Sequence, residues 1–173
     1  MNHDKNHVVI RTIRPGDNVK LASIVRTVLA EFGANHRGTV YYDPTTDRLY
    51  EMFLERGSVY FVALVKDQIV GGAGIFPSPG LPTGLAELVK MYLLKEARGI
   101  GLGKQLIERC IDFARSAGYT GIYLETMPEL KKAMHIYEQF DFYYLNGPLG
   151  NTGHFGCQVW MMKNLQESGT HRR

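Results

Sequence analysis

The residues from 87 to 104 constrain this chain more than any others. They run Glu87-Leu88-Val89-Lys90-Met91-Tyr92-Leu93-Leu94, then Lys95-Glu96-Ala97, then Arg98-Gly99-Ile100-Gly101-Leu102-Gly103-Lys104. An apolar extended run, a short bend and three glycines at alternate positions read as a strand and a glycine-rich turn feeding a helix. Glycines without side-chain bulk let backbone N–H groups come close to a ligand, and the following helix adds the positive end of its dipole. Such a turn is suited to an anion, above all a phosphate or pyrophosphate.

Three phosphate-binding patterns compete for the turn. A nucleoside-triphosphate loop needs Gly, four residues, then Gly-Lys-Ser/Thr. Counting back from Gly103-Lys104 puts Arg98 where the first Gly belongs, and Gln105 stands where the hydroxyl belongs, so that pattern fails twice. A dinucleotide fingerprint needs G-x-G-x-x-G, and this turn is one residue short, although Glu125 stands where a ribose-binding acid would. The third pattern, Arg/Gln-x-x-Gly-x-Gly/Ala after a strand, is matched by residues 98–103.

The rest of the chain supplies a frame for that turn. Residues 8–14 alternate as a first strand, and Asp17 offers an N-cap for a helix reaching about Phe32. A short helix carries Leu49, Met52, Phe53 and Leu54, and residues 58–66 and 69–76 form a hairpin. After the strand at 85–94, a helix over 103–117 ends at Gly118, and residues 122–126 form a strand parallel to it, because a helical crossover joins the two. Pro128 opens a further helix, and strands follow at 142–145 and 155–163. The expected fold class is a mixed α/β (α+β), mostly antiparallel sheet of six to seven strands with about four helices, in the order β-α-α-β-β-β-α-β-α-β-β. A chain of 173 residues suits one domain, here 1–165, with a polar and disordered tail over 166–173.

With the turn goes a second segment, Ala133-Met134-His135-Ile136-Tyr137-Glu138-Gln139-Phe140-Asp141-Phe142. The two together, from about Leu85 to Phe142, resemble the GNAT N-acetyltransferase superfamily, whose Ala-x-x-x-Tyr-Glu-x-x-Gly-Phe helix end the second segment is similar to. The resemblance implies acetyl-coenzyme A as cosubstrate. It implies that backbone groups of Met91 and Leu93 pair with the pantetheine arm, and that Arg98, Gly99, Ile100, Gly101, Leu102, Gly103 and Lys104 hold the pyrophosphate. Thr126, with Glu125, would border the thiol end. Leu130 departs from the family, which often has Asn there; Asp141 replaces the usual Gly at a position that favours left-handed backbone.

Moving an acetyl group from a thioester to an amine requires a base for the amine, polarisation of the carbonyl and a proton for the thiolate. Tyr137 is the candidate acid, and Glu87 the candidate base. Strand alternation would put Glu87 on the same sheet face as Met91, four residues on. His154 and His36 are rival bases, and a water could serve instead. Two loops, 33–43 and 146–157, are expected to shape the acceptor pocket with His36, Tyr41, Asn151 and His154. Neither is rich in acids, which favours a small polar amine such as an amino acid over a polyamine. The alternatives are a non-catalytic acyl-coenzyme A-binding regulatory module and an acetyltransferase for protein N-termini or lysines.

Composition adds mainly exclusions. A formal charge of +3 with scattered basic residues gives nucleic-acid binding no support, and two cysteines make neither a disulfide framework nor a metal site. No apolar run is long enough to span a membrane, and the polar start is no signal peptide, so the expectation is a cytoplasmic protein without a metal. The sequence leaves homodimerisation open.

Overall fold

The computed structural model describes residues 7–166; the tail expected over 166–173 lies outside them apart from Gln166. In chain order the strands are β1 (Val8–Thr12), β2 (Val59–Val65), β3 (Gln68–Phe76), β4 (Leu85–Leu93), β5 (Gly121–Thr126), β6 (Tyr143–Leu145) and β7 (Val159–Asn164). The α-helices are α1 (Asn18–Glu31), α2 (Leu49–Met52), α3 (Leu102–Ser116) and α4 (Lys131–Gln139). One sheet of seven strands runs β1-β2-β3-β4-β5-β7-β6. Among the described residues its only parallel neighbours are β4 and β5, joined through α3 as the crossover requires.

Each face of the sheet has its own apolar layer. Ala86, Leu88, Ile122 and Leu124 pack with Leu106, Ile107 and Cys110 of α3 on one face. Val89, Tyr60 and Val62 pack with Leu21 and Leu49 on the other. The helix stripes at period 3.6 and the strand alternation at period 2 meet in these two layers. Gly118, at φ 85°, ends α3 as expected, and Asp141 adopts φ 62° just before Phe142.

Several local expectations change. Asp17 makes no side-chain cap to α1; its carboxylate instead accepts two bonds from the Arg11 guanidinium, at 2.7 and 3.0 Å, and one from the Arg14 N–H at 2.7 Å. Pro128 lies in a turn, closed by the Leu130 N–H on the Met127 carbonyl at 3.0 Å, and α4 begins only at Lys131. The last strand begins at Val159 rather than Phe155. Residues 154–157 turn back instead, and the Gly156 N–H donates to the Gly38 carbonyl at 2.7 Å. That bond clips the two loops flanking the site to each other.

The largest surprise lies inside β4. Gly72 pairs with Tyr92 and Gly74 with Val89, so β4 carries one residue more than β3 between those points. The extra residue makes a β-bulge at Lys90, which takes φ 49°. The buried Tyr60 hydroxyl donates to the bulge carbonyl, Lys90 O, at 2.9 Å. Gly72 opposite leaves room for that ring, since a Cβ there would collide with Tyr60 and with the Phe61 carbonyl. The bulge also breaks alternation. Met91 and Leu93 join the α3 layer, whereas Val89 faces the α1 side and Tyr92 packs with Val25 and Leu29. Glu87, in phase with Val89, therefore lies on the face opposite the Met91 side chain, not the same one as alternation alone predicts.

Candidate active site

β4 and β5 pair only at Leu85 with Gly121, Ala86 with Ile122 and Glu87 with Tyr123. Beyond that point β4 stays paired to β3 as far as Leu93, and β5 stays paired to β7 as far as Thr126. The two strands have parted, and the β5-facing edge of residues 88–93 has no strand partner among the described residues. A cleft of about 1690 Å³ opens there, running from the glycine turn past Tyr137 to Glu87 and the 146–157 loop. An unpaired strand edge presents backbone donors and acceptors to any extended ligand laid along it.

The glycine turn closes one end. Gly99 and Gly101 have φ of 77° and 82°, and no atom of the described residues lies within 4 Å of where their Cβ atoms would be. Backbone conformation, not crowding, makes glycine the favoured residue at both. Gly101 is the N-cap of α3 and has no side-chain cap, so the first N–H groups of the helix face the turn without a side-chain acceptor. Gly99, Gly101, Gly103 and Lys104 line the cleft; Ile100 does not, and Leu102 is buried in the core. The Arg98 side chain is already engaged. Its Nε donates to the Leu93 carbonyl at 2.9 Å, its two terminal nitrogens donate to Glu31 at 2.8 and 2.9 Å, and it lies 5.2 Å from the Phe32 ring centroid. Arg98 thus ties the turn to the end of α1, and any anion here meets mainly backbone.

At the middle of the cleft stands Tyr137, buried, its hydroxyl 3.7 Å from the Met91 sulfur. Burial, with the nearby Cys110, pushes this phenol well above its ordinary range, so it stays protonated at neutral pH. Its hydroxyl is already set toward a sulfur atom. Tyr137 belongs to the α3 layer, so it and Glu87 approach the open edge of β4 from opposite faces of the sheet.

The far end is built from charged side chains. Glu87 is 4% exposed, and one oxygen accepts a short hydrogen bond from the Ser78 hydroxyl. Burial raises its carboxyl to about 7, against the opposing pull of Ser78, with the neighbouring Glu125 adding to the rise. Glu125 accepts from the Tyr123 hydroxyl at 2.8 Å and from the Thr152 hydroxyl at 2.7 Å. His154 lies between, with Nε2 3.0 Å from Asp43 and Nδ1 3.9 Å from Glu125. Lys90, carried inward by the bulge, donates to Asp43 at 2.9 Å. Burial would raise Asp43, but the hydrogen bond from His154, the Lys90 charge and the Thr45 contacts outweigh it and hold the carboxyl far below its usual range. Burial in turn lowers Lys90, and Asp43 opposes that fall.

Glu87, Glu125 and His154 bring one polar atom each within 4.8 Å of one another. Two carboxylates and an imidazole match the donor types of a divalent cation. Here hydroxyls of Ser78, Tyr123 and Thr152 already serve the carboxylates, and the arrangement equally suits a group carrying N–H donors.

Of the residues the sequence put in the acceptor pocket, Asn151 and His154 line the cleft, while His36 and Tyr41 do not. His36 is exposed, with its ring against the adjacent Arg37 carbonyl, and Tyr41 packs beside the cluster containing Val25 and Leu29. Thr126 and Leu130 line it as well. The expectation of an acid-poor pocket holds for the loops alone, because the sheet brings in Glu87 and Glu125. Sequence reasoning missed Lys90 and Asp43. A lysine amid the apolar run of β4 is itself a signal, since a buried cation needs an anionic partner. Asp43 before Pro44 was a second one: it caps the following turn, accepting from the Thr45 N–H at 2.9 Å.

Comparison with known proteins decides the family. The model of the acetyltransferase (GNAT) family matches residues 24–142. The chain belongs to the GNAT acetyltransferase family. An N-acetyltransferase of Escherichia coli K12 called YjgM, itself uncharacterised, is 38% identical over 158 residues, covering 91% of this chain and 95% of its own. A GNAT acetyltransferase structure from Staphylococcus aureus Mu50 superposes with a TM-score of 0.80 at 21% identity, covering 92% of this chain and 99% of that one. The PaiA N-acetyltransferase of Thermoplasma acidophilum, solved with coenzyme A, superposes at 0.71 with 16% identity, covering 91% and 98%. This GNAT chain is an acetyltransferase, and its mixed, mostly antiparallel sheet is the one its structural neighbours share. No helix among the described residues is long and apolar enough to cross a membrane.

Proposed function

We propose that this GNAT enzyme transfers an acetyl group from acetyl-coenzyme A directly to the primary amine of a small polar molecule, such as an amino acid or related amine. One observation carries the reading: the open edge of β4 connects the glycine-rich turn at one end to the buried Glu87 carboxyl, which burial pushes up to about 7, at the other. The pyrophosphate sits on the backbone of residues 98–104, and the pantetheine lies along residues 88–93 with its backbone paired to Met91 and Leu93. The thioester then lies between Tyr137 and Glu87. The Thermoplasma neighbour's coenzyme A supports this use of the fold.

In this reading the acceptor enters as an ammonium among Glu87, Glu125 and His154. Groups within 4.8 Å of one another can each hydrogen-bond, at ~2.8 Å, one nitrogen between them. Glu87 takes a proton and the freed amine attacks the thioester carbonyl. The adduct nitrogen gives up a second proton to solvent, and collapse of the adduct expels the thiolate. Tyr137 donates a hydrogen bond to the departing sulfur. Its raised affinity for its own proton makes full transfer uphill to a thiolate of ordinary basicity, near ~8.5 for cysteine, so solvent completes the protonation. No covalent enzyme intermediate is needed.

The test is thiol release from acetyl-coenzyme A across amino acids, polyamines, aminoglycosides and peptides. Turnover confined to small amines is the expected result. Coenzyme A release with none of these amines, in protein that binds acetyl-coenzyme A, would overturn the reading.

A further inference from the structure

The proposed reaction leaves a proton that a buried base cannot discard by itself. An ammonium and a thioester give an amide, a thiol and one proton, and that proton first resides on Glu87. Glu87 is 4% exposed and Ser78 covers one of its oxygens, so a second group must carry the proton out.

His154 is placed to be that group. Its side chain is 16% exposed, whereas that of Glu125 is 5% exposed. The imidazole has one nitrogen toward the carboxylate pair and the other on Asp43. Asp43 is fixed from three directions. Oδ2 accepts from Lys90 at 2.9 Å, and Oδ1 accepts from the Thr45 N–H at 2.9 Å and from its hydroxyl at 2.7 Å. A carboxylate paired with a buried lysine is an acceptor only, so the His154 nitrogen facing it must carry the hydrogen. In the neutral ring the other nitrogen, Nδ1, then holds its lone pair toward the inside of the cleft.

We propose that Asp43, backed by Lys90 on the β4 bulge, is a positioning residue that holds His154 as the Nε2–H tautomer with Nδ1 facing Glu87 and Glu125, and so makes His154 the outlet for the proton that Glu87 removes from the acceptor. The inference rests on the acetyl-transfer reading. Nδ1 takes the proton from Glu87 through one bridging water, the ring becomes an imidazolium held by Asp43, and it then yields a proton to solvent at the rim. The bulge gives Lys90 its part, since regular alternation would not place its ammonium on Asp43. The charged and titratable groups around the ring are Asp43 from the loop before α2, Glu87 and Lys90 from β4, and Glu125 from β5. Cys157 in its own loop is pushed up to about 12 by burial, with Glu125, Glu87 and Glu129 adding to the rise, and stays neutral.

Two readouts test this. In ¹⁵N-histidine-labelled protein, long-range ¹⁵N–¹H spectra above neutral pH should show His154, assigned by its loss in His154→Gln, as the Nε2–H tautomer. Asp43→Ala should turn it into a mixture; Asp43→Asn serves if Asp43→Ala does not fold, and should perturb the same signal. In turnover, His154→Ala should lower kcat about tenfold with the KM for acetyl-coenzyme A unchanged, and added imidazole should restore part of the rate. A merely structural histidine would not be rescued by imidazole. An Nδ1–H tautomer in the wild type, or a tautomer indifferent to position 43, would overturn the role of Asp43. Full kcat in His154→Ala, or a loss that imidazole does not touch, would overturn the outlet. A wild-type enzyme inert toward every amine would overturn the acetyl-transfer reading and the outlet with it, while the spectra still judge Asp43.

Discussion

The two ends of the cleft are made of different material. At the glycine turn the groups that face a ligand belong mostly to the main chain, with the Lys104 side chain beside them, and the guanidinium there, Arg98, is occupied by Glu31 and the Leu93 carbonyl. Around Glu87 the groups belong to side chains from β4, β5 and two loops, and Asp43, Glu87, Lys90, Glu125 and His154 among them are titratable. A backbone cradle binds an anion in much the same way at any pH and is sensitive mainly to φ and ψ. A buried cluster of acids, a lysine and a histidine changes its chemistry with one proton. The first end is suited to hold a ligand, the second to transform one.

Substitution at Glu87 should separate the two ends most clearly. Glu87→Gln keeps the shape and removes the base, and thiol release in the presence of amine should fall ~10²-fold or more with acetyl-coenzyme A affinity unchanged. The same variant has a stability signature. The folded carboxyl lies near 7, above its unfolded value of 4.5, so the native state holds this proton more tightly. Its contribution is complete below about 4.5, is lost as pH rises toward about 7, and is constant above that. Wild-type denaturation should therefore show a decline across this window, on the order of 3 kcal/mol before the site relaxes, that Glu87→Gln removes. A pH limb in kcat near 7 should disappear along with it.

The backbone end should answer in the opposite way. Gly101→Val meets no atom within 4 Å but demands φ 82° of a branched residue, a cost of ~1–2 kcal/mol. Acetyl-coenzyme A affinity, measured by calorimetry, should weaken about tenfold, while kcat at saturating cofactor stays near wild type. The smallest effect is expected at Arg98, which sharpens the contrast. Its partner Glu31 is about one-third exposed, so Arg98→Ala should cost ~1 kcal/mol or less in stability and change cofactor affinity only a few-fold. A hundredfold loss of affinity would mean that the guanidinium, not the main chain, holds the anion.

The same contrast explains which parts were legible in the sequence. Strand order, the α3 crossover and the glycine turn all leave local signatures, because periodicity and glycine spacing are properties of neighbouring residues. The acceptor end is assembled from residues 43, 87, 90, 125 and 154, which no local pattern joins. Its assembly depends on the bulge at Lys90, and a strand read by alternation hides a bulge: this moved Glu87 to the face opposite Met91. The turn at 154–157, whose residues 155–157 read as strand in the sequence, is what carries His154 to Asp43 through the Gly156–Gly38 bond. His36 was as plausible a base as His154 by residue type, and only the fold distinguishes them.

The most direct test of the central claim, that the open edge of β4 leads a thioester to Glu87, is a crystal structure with acetyl-coenzyme A. The account predicts the pyrophosphate on the backbone of residues 98–104, the pantetheine paired along residues 88–93, and the acetyl group between the Tyr137 hydroxyl and the Glu87 carboxyl. A cofactor whose arm avoids that edge, or whose acetyl group lies away from the Glu87, Glu125 and His154 cluster, would contradict it.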